Sequence, residues 1–194
     1  MKFLQTFCVV DELSRLLWVG GDWDDFARDN GGDTIIADQV LSTSLLQYIA
    51  DERTAAAMVS IMDRVLDAQA SFHLHYRCDS PAHKRELLMT VMPLRDRRVL
   101  ITHDLLDVQA MPFRGEWWRH DARAGDMKCS FCCSVRLPTG HWVDPFQSDA
   151  AHPATVCYTV CPSCDARIAT AFADMTLAPA AQRSRESPGQ RQNF

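Results

Sequence analysis

The apolar positions fall into two periods. Phe7–Asp11 and Leu16–Gly20 read as two short strands with Glu12-Leu13-Ser14 as the turn between them. Trp23, Phe26 and Ala27 then recur at helical spacing, and Gly31-Gly32 end that short helix. Val40–Ile49 predicts a second helix, with Leu45, Leu46 and Ile49 on one face. Thr54–Ala68 is the clearest long helix. Ala55, Met58, Val59, Met62, Val65 and Leu66 form its stripe, and Asp51 or Thr54 can cap it.

The period then shifts to two. In Ser71–Cys78, Phe72, Leu74, Tyr76 and Cys78 share one face, while His73, His75 and Arg77 share the other. Glu86–Pro93 and Arg98–Leu105 read as two further strands. The order β-β-α-α-α-β-β-β predicts an α+β fold, an antiparallel sheet with short helices on one face. Beyond it, Val135-Arg136-Leu137 and His141-Trp142-Val143 alternate around Pro138-Thr139-Gly140, which predicts a β-hairpin. Ile168, Phe172 and Met175 recur at helical spacing behind Pro162, so a helix closes this segment.

The hairpin is bracketed by two CxxC pairs, Cys129/Cys132 and Cys161/Cys164. Once the chain folds back, four thiolates meet, and four thiolates at tetrahedral geometry suit Zn²⁺. A knuckle, a hairpin and a helix carrying the last two ligands make a treble-clef-like zinc module, in which the metal supplies much of the folding energy. No thioredoxin-like βαβ pattern surrounds the pairs, which sets structural zinc ahead of a redox pair, disulfides or an iron–sulfur site. Asp165 follows Cys164, so the CxxCH of covalent haem attachment is absent. Cys133 and Cys157 are the spare cysteines nearest the metal, expected to be neither ligands nor sensors.

Composition narrows the picture further. Of 194 residues, 47% are hydrophobic, enough for a substantial core. The net charge of −5 argues against general nucleic-acid binding, although Arg183, Arg185 and Arg191 make the tail basic. No apolar run reaches membrane-spanning length, and the start is too short and too soon acidic for a signal peptide. A cytoplasmic location is expected, where eight cysteines signify metal and free thiols rather than a disulfide framework. No Ser/His/Asp set, phosphate-cradling glycine loop or kinase motif is present, so no enzymatic activity is expected. His73 and His75 sit on the polar strand face and read as a solvated surface or a dimer seam rather than metal or haem ligands.

Two stretches resemble known families. CSFCCSVR…GHWV…VCPSC is similar to the CxxC-K-x-I-R-x-x-G-x-W…HGICPxC tail of some bacterial response regulators and sensor proteins. Cys133 replaces the Lys, and Tyr158-Thr159-Val160 replaces HGI. The opening VVDELSRLLWVGGDWDDFARDNGG resembles that of a PAS domain, and YRCDSP followed by KRELLMTVMPL resembles the strands of a bacterial PAS subgroup. That resemblance covers about residues 7–106. It implies a five-stranded antiparallel sheet cupping a pocket, and sensing or dimerisation rather than catalysis.

The resulting division is a PAS-like domain (1–106), a linker (107–127), a four-cysteine zinc module (128–177) and a disordered tail (178–194). The expected function is non-enzymatic signal sensing or regulatory interaction. A haem- or flavin-bearing redox or gas sensor is the first alternative, though the flavin subgroup's N-C-R-F-L-Q motif is missing. A transcription-associated zinc factor is the second. A homodimer with Phe3, Leu4 and Phe7 at its seam is expected, along with an unidentified signalling partner. Leu74, Tyr76, Leu88, Thr90 and Met92 are the expected sheet wall of the pocket. Trp18, Trp23, Phe26 and Phe72 are expected to fill it.

Overall fold

The computed structural model describes residues 4–112, 118–147 and 155–177. Phe3 and the tail with Arg183, Arg185 and Arg191 lie outside them.

The chain forms an α+β fold with two five-stranded sheets. The first contains β1 (Gln5–Val10), β2 (Leu16–Gly21), β3 (Phe72–Arg77), β4 (His83–Pro93) and β5 (Val99–Ala110) in the order β2-β1-β5-β4-β3, antiparallel throughout. Three helices lie between β2 and β3 in sequence: α1 (Trp23–Asp29), α2 (Ala37–Val40) and α3 (Glu52–Ala68). β5 runs past the expected boundary at 106 to Ala110, held in register by β4 from Val99 to Ala110.

α3 forms where the sequence pattern places it. The Asp51 carboxylate accepts from the Thr54 N–H at 2.8 Å, satisfying an orphan donor of the first turn. Met58, Ile61, Met62, Val65 and Leu66 are its buried stripe, and Gln69 ends it in a left-handed conformation. Val40–Ile49 does not form the expected continuous helix. α2 stops at Val40, and a 3₁₀ turn occupies Leu45–Tyr48. The intervening backbone pairs with β2 instead. Leu16 N–H donates to the Thr43 carbonyl at 2.8 Å, and Ser42 N–H, with φ +67°, donates to that of Leu16 at 2.7 Å.

Register decides the two faces of the sheet. Phe72 pairs with Val91 and Leu74 with Met89, and all four are buried beneath the helices. His73 pairs with Thr90 and His75 with Leu88 on the opposite face. Leu88, Thr90 and Met92 therefore belong to the outer face and not to the expected pocket wall, because side chains alternate strictly along a strand. Trp18 is also displaced from the expected interior. It is 64% exposed and packs edge-on against Phe7 on the outer face, 6.0 Å between centroids. Val10, Leu16, Ile61, Phe72, Val91 and Ile101, each at most 1% exposed, fill the interior.

The second sheet is smaller. β6 (Arg119–His120), β7 (Met127–Cys129), β8 (Val135–Arg136), β9 (Trp142–Val143) and β10 (Thr155–Thr159) adopt the order β6-β10-β7-β8-β9. β8 and β9 form the expected hairpin, closed by the Leu137 N–H on the His141 carbonyl at 2.8 Å with Gly140 at φ +88°. Helix α4 (Pro162–Leu177) follows, with Pro162 at its first position, where no N–H is needed.

The sheets share one core. Phe131, Val160, Ile168 and Met175 belong to the same buried cluster as Phe72, Met89 and Ile61. Phe172 of α4 meets Phe72 of β3 at 5.4 Å between ring centroids. The Trp118 ring lies 4.6 Å from the Lys128 ammonium, against the second sheet.

Candidate metal centre

The knuckle that carries the first two thiols is a tight backbone turn. Cys129 N–H donates to the Ser134 carbonyl at 2.8 Å, and Cys133 N–H donates back to that of Cys129 at 3.1 Å. Cys133 takes the left-handed conformation, φ +61°, that reversing the chain requires. Ser130 N–H donates to the Thr159 carbonyl at 2.9 Å, which sets the knuckle beside the end of β10. The second pair opens α4, where the N–H groups of Cys164 and Asp165 both donate to the Cys161 carbonyl at 3.0 Å.

Cys129, Cys132, Cys161 and Cys164 thus converge, with all four sulfurs within 4.8 Å of one another. Cys129, Cys161 and Cys164 are buried and Cys132 is half-buried. None of the eight cysteines is in a disulfide. Tetrahedral zinc–thiolate bonds of about 2.3 Å place sulfurs about 3.8 Å apart, and Cys132 Sγ lies 3.7 Å from Cys161 Sγ. Two main-chain donors point at Cys129 Sγ, from Phe131 and Cys161, each at 3.4 Å. Such N–H···S contacts orient a thiolate ligand and stabilise its charge. The donor set and spacing therefore fit a divalent ion such as zinc, held by these four residues.

The thiol electrostatics point the same way. Hydrogen bonds from Cys129 and Cys164 pull Cys132 well below the ordinary thiol range. The same sharing with Cys132 pushes Cys129 up to about 11, and sharing with Cys129 and Cys132, with burial, pushes Cys164 up. A bound divalent ion would let all four ionise. Lys128, next to Cys129, is 4% exposed, and among the described residues no carboxylate lies within 4.0 Å of its ammonium. Its ammonium lies over the Trp118 and Tyr158 rings, 4.6 and 5.5 Å from their centroids.

The spare cysteines lie outside the cluster. Cys133 Sγ is 3.6 Å from the Arg77 carbonyl, and burial pushes its thiol up to about 11. Cys157 Sγ is 3.6 Å from the Tyr158 carbonyl. Cys78 is also pushed up by burial, and its sulfur lies 3.9 Å from the Arg85 guanidinium. His73 and His75 are exposed and not among the four converging ligands; His75 borders a shallow recess with Cys132, and His73 Nδ1 lies 3.1 Å from Thr90 Oγ1.

Sequence periodicity misses the seam between this centre and the first sheet. Thr54 Oγ1 and Asp51 Oδ2 contact Ser130 Oγ at 2.8 and 3.1 Å, joining the start of α3 to the knuckle. Arg77 of β3 binds Asp79, whose side chain is fully buried, and reaches Asp144 beyond β9 at 2.7 Å. Arg167 of α4 donates to the His75 carbonyl. The polar letters of the RCDSP stretch were the available signal for this seam.

No family model matches the sequence, and no curated protein matches it. Among solved structures, the chain is similar to a domain of an HTR-like protein from Haloarcula marismortui ATCC 43049, at 9% identity with a TM-score of 0.40. The likeness covers 53% of this chain and 98% of that one.

Proposed function

We propose that this chain is a PAS-type sensory or regulatory module without catalytic activity, in which zinc occupies the four-cysteine centre. One observation carries the reading: the metal centre is not a detached appendage but shares its core with the sheet and rests on the strand edge of β3. A change in metal occupancy or thiol state at the centre therefore reaches the sheet through packed side chains. A five-stranded antiparallel sheet with short helices, the architecture the PAS resemblance implies, supports this reading. Output would pass to a protein partner, and a homodimer would form with the exposed Leu4, 73% accessible, at its seam.

Native mass spectrometry of the purified full chain tests the reading. The expected species is a dimer carrying one zinc per chain and no further ligand. Stoichiometric haem or flavin would replace this reading with that of a cofactor-bearing sensor.

A further inference from the structure

Among the described residues, the largest fully buried side chain is a cation remote from the thiol cluster in role: Arg85 at the start of β4, 2% exposed. Its Nε donates to the Cys78 carbonyl at 2.5 Å, its Nη2 donates to Asn30 Oδ1 at 2.8 Å, and its guanidinium lies 5.1 Å from the centre of the Phe26 ring. Asn30 is held in this orientation by its own Nδ2, which donates to the Phe26 carbonyl at 2.6 Å. The partners of the guanidinium among the described residues are therefore neutral. Among the described residues no carboxylate lies within 4.0 Å of it, and Nη1 donates to none of them. The Asp79 carboxylate accepts from the Arg85 main-chain N–H at 3.2 Å but spends its ion pairing on Arg77.

A guanidinium withdrawn from water without a counter-charge costs several kcal/mol unless an anion meets it. Arg85 is also one of the residues that line a recess of about 400 Å³. Asn30, Ser80 and His83 share that wall, and Ser80 is itself 8% exposed. The turn presenting them is rigid. Ser80 N–H donates to the His83 carbonyl at 2.8 Å, and His83 N–H lies 3.1 Å from Ser80 Oγ. Among the described residues of the wall, Asp29 is the one carboxylate, and it is exposed.

The geometry points to a binding site for a small oxyanion, a carboxylate or a phosphate, in which Arg85 supplies the charge and Ser80 and His83 supply further polar contacts. With Nε and Nη2 already donating to Cys78 and Asn30, Nη1 is the end of the guanidinium left to meet an anion, in a charge-assisted hydrogen bond. The proposal stands apart from the regulatory reading and from the metal centre. It holds or fails whatever the output of the protein.

The test is an NMR titration of the full zinc-loaded chain with inorganic phosphate and, separately, with succinate, read on the Arg85 Nε–H and on the Ser80 and His83 amides. Saturable shifts with either anion are expected, and the anion that gives them identifies the source. Because Arg85→Ala removes a buried side chain and can unfold the protein, the deciding variant is Asn30→Asp. It is nearly isosteric and gives Arg85 an internal counter-charge, at the loss of the donation from Asn30 Nδ2 to the Phe26 carbonyl. Binding is expected to weaken at least about tenfold in this variant. Asp29→Asn is expected to tighten binding. Failure of both anions to saturate the wild-type signals overturns the proposal, as does an Asn30→Asp variant that binds as the wild type does.

Discussion

The main-chain N–H of Arg77 donates to the carbonyl of Phe131 at 2.7 Å, so the outer edge of β3 ends on the residue between the first two metal-ligand candidates. An open strand edge is a row of unmet donors and acceptors that invites pairing with other chains. In this protein the knuckle satisfies Arg77, and Arg167 of α4 satisfies the neighbouring His75 carbonyl. The four-cysteine centre thus acts as the cover of a sheet edge.

Metal content is expected to be one zinc per chain. Serine at Cys129, Cys132, Cys161 or Cys164 should abolish stoichiometric binding, whereas Cys133→Ser and Cys157→Ser should leave it intact. Elemental analysis of protein from zinc-replete medium checks both halves.

Chelation should act beyond residues 128–177. The Arg77 amide and the rest of β3 are expected to lose hydrogen-exchange protection, while β1 and the adjoining stretch of β5 keep theirs, because those strands pair with each other away from the knuckle. Exchange rates in β3 unchanged by a strong chelator would show that α4 and the knuckle hold their place without metal.

The contact of Phe72 with Phe172 should couple the two sheets energetically. Phe72→Ala is expected to destabilise the protein by about 3–5 kcal/mol, from lost burial and the cavity left behind. In a double-mutant cycle with Phe172→Ala, a coupling of about 0.5–1.5 kcal/mol is expected from urea unfolding. Additive effects would mean that the ring pair contributes no more than its separate burials.

Stability should fall on mild acidification. His103 lies on the inner sheet face with its Nδ1 2.8 Å from the Tyr76 hydroxyl, and burial lowers its pKa to about 4. An unfolded histidine titrates near 6.5, so between these values the unfolded chain binds the proton and the folded chain does not. The contribution is complete above about pH 6.5 and is lost as pH falls toward 4, up to about 3 kcal/mol. Urea midpoints at pH 7 and pH 4.5 measure it. His103→Gln should flatten the difference, and an equal pH dependence in that variant would place the effect elsewhere.

Local chemistry made much of this protein legible in its sequence. The strand and helix periods located β1 to β5 and α3, Asp51 marked a cap, and the doubled CxxC marked four sulfurs that do converge. These features depend on neighbours within a few residues, or on a ligand geometry with a fixed spacing. The rest depended on partners far along the chain. Val40–Ile49 has helical apolar spacing, yet pairing with Leu16 breaks it. Leu88, Thr90 and Met92 alternate as plausibly as Leu87, Met89 and Val91, and only the register with Phe72 and Leu74 decides which set is buried. Residues 128–177 carry the pattern of a small separate module. Ile168, Phe172 and Met175 nevertheless turn their apolar face onto β3 and α3, because a 16-residue helix buries its stripe on whichever surface lies closest. Arg85 is the clearest case. Its sequence context is polar, and only the folding of α1 and the 78–83 turn around it withdraws its charge from water.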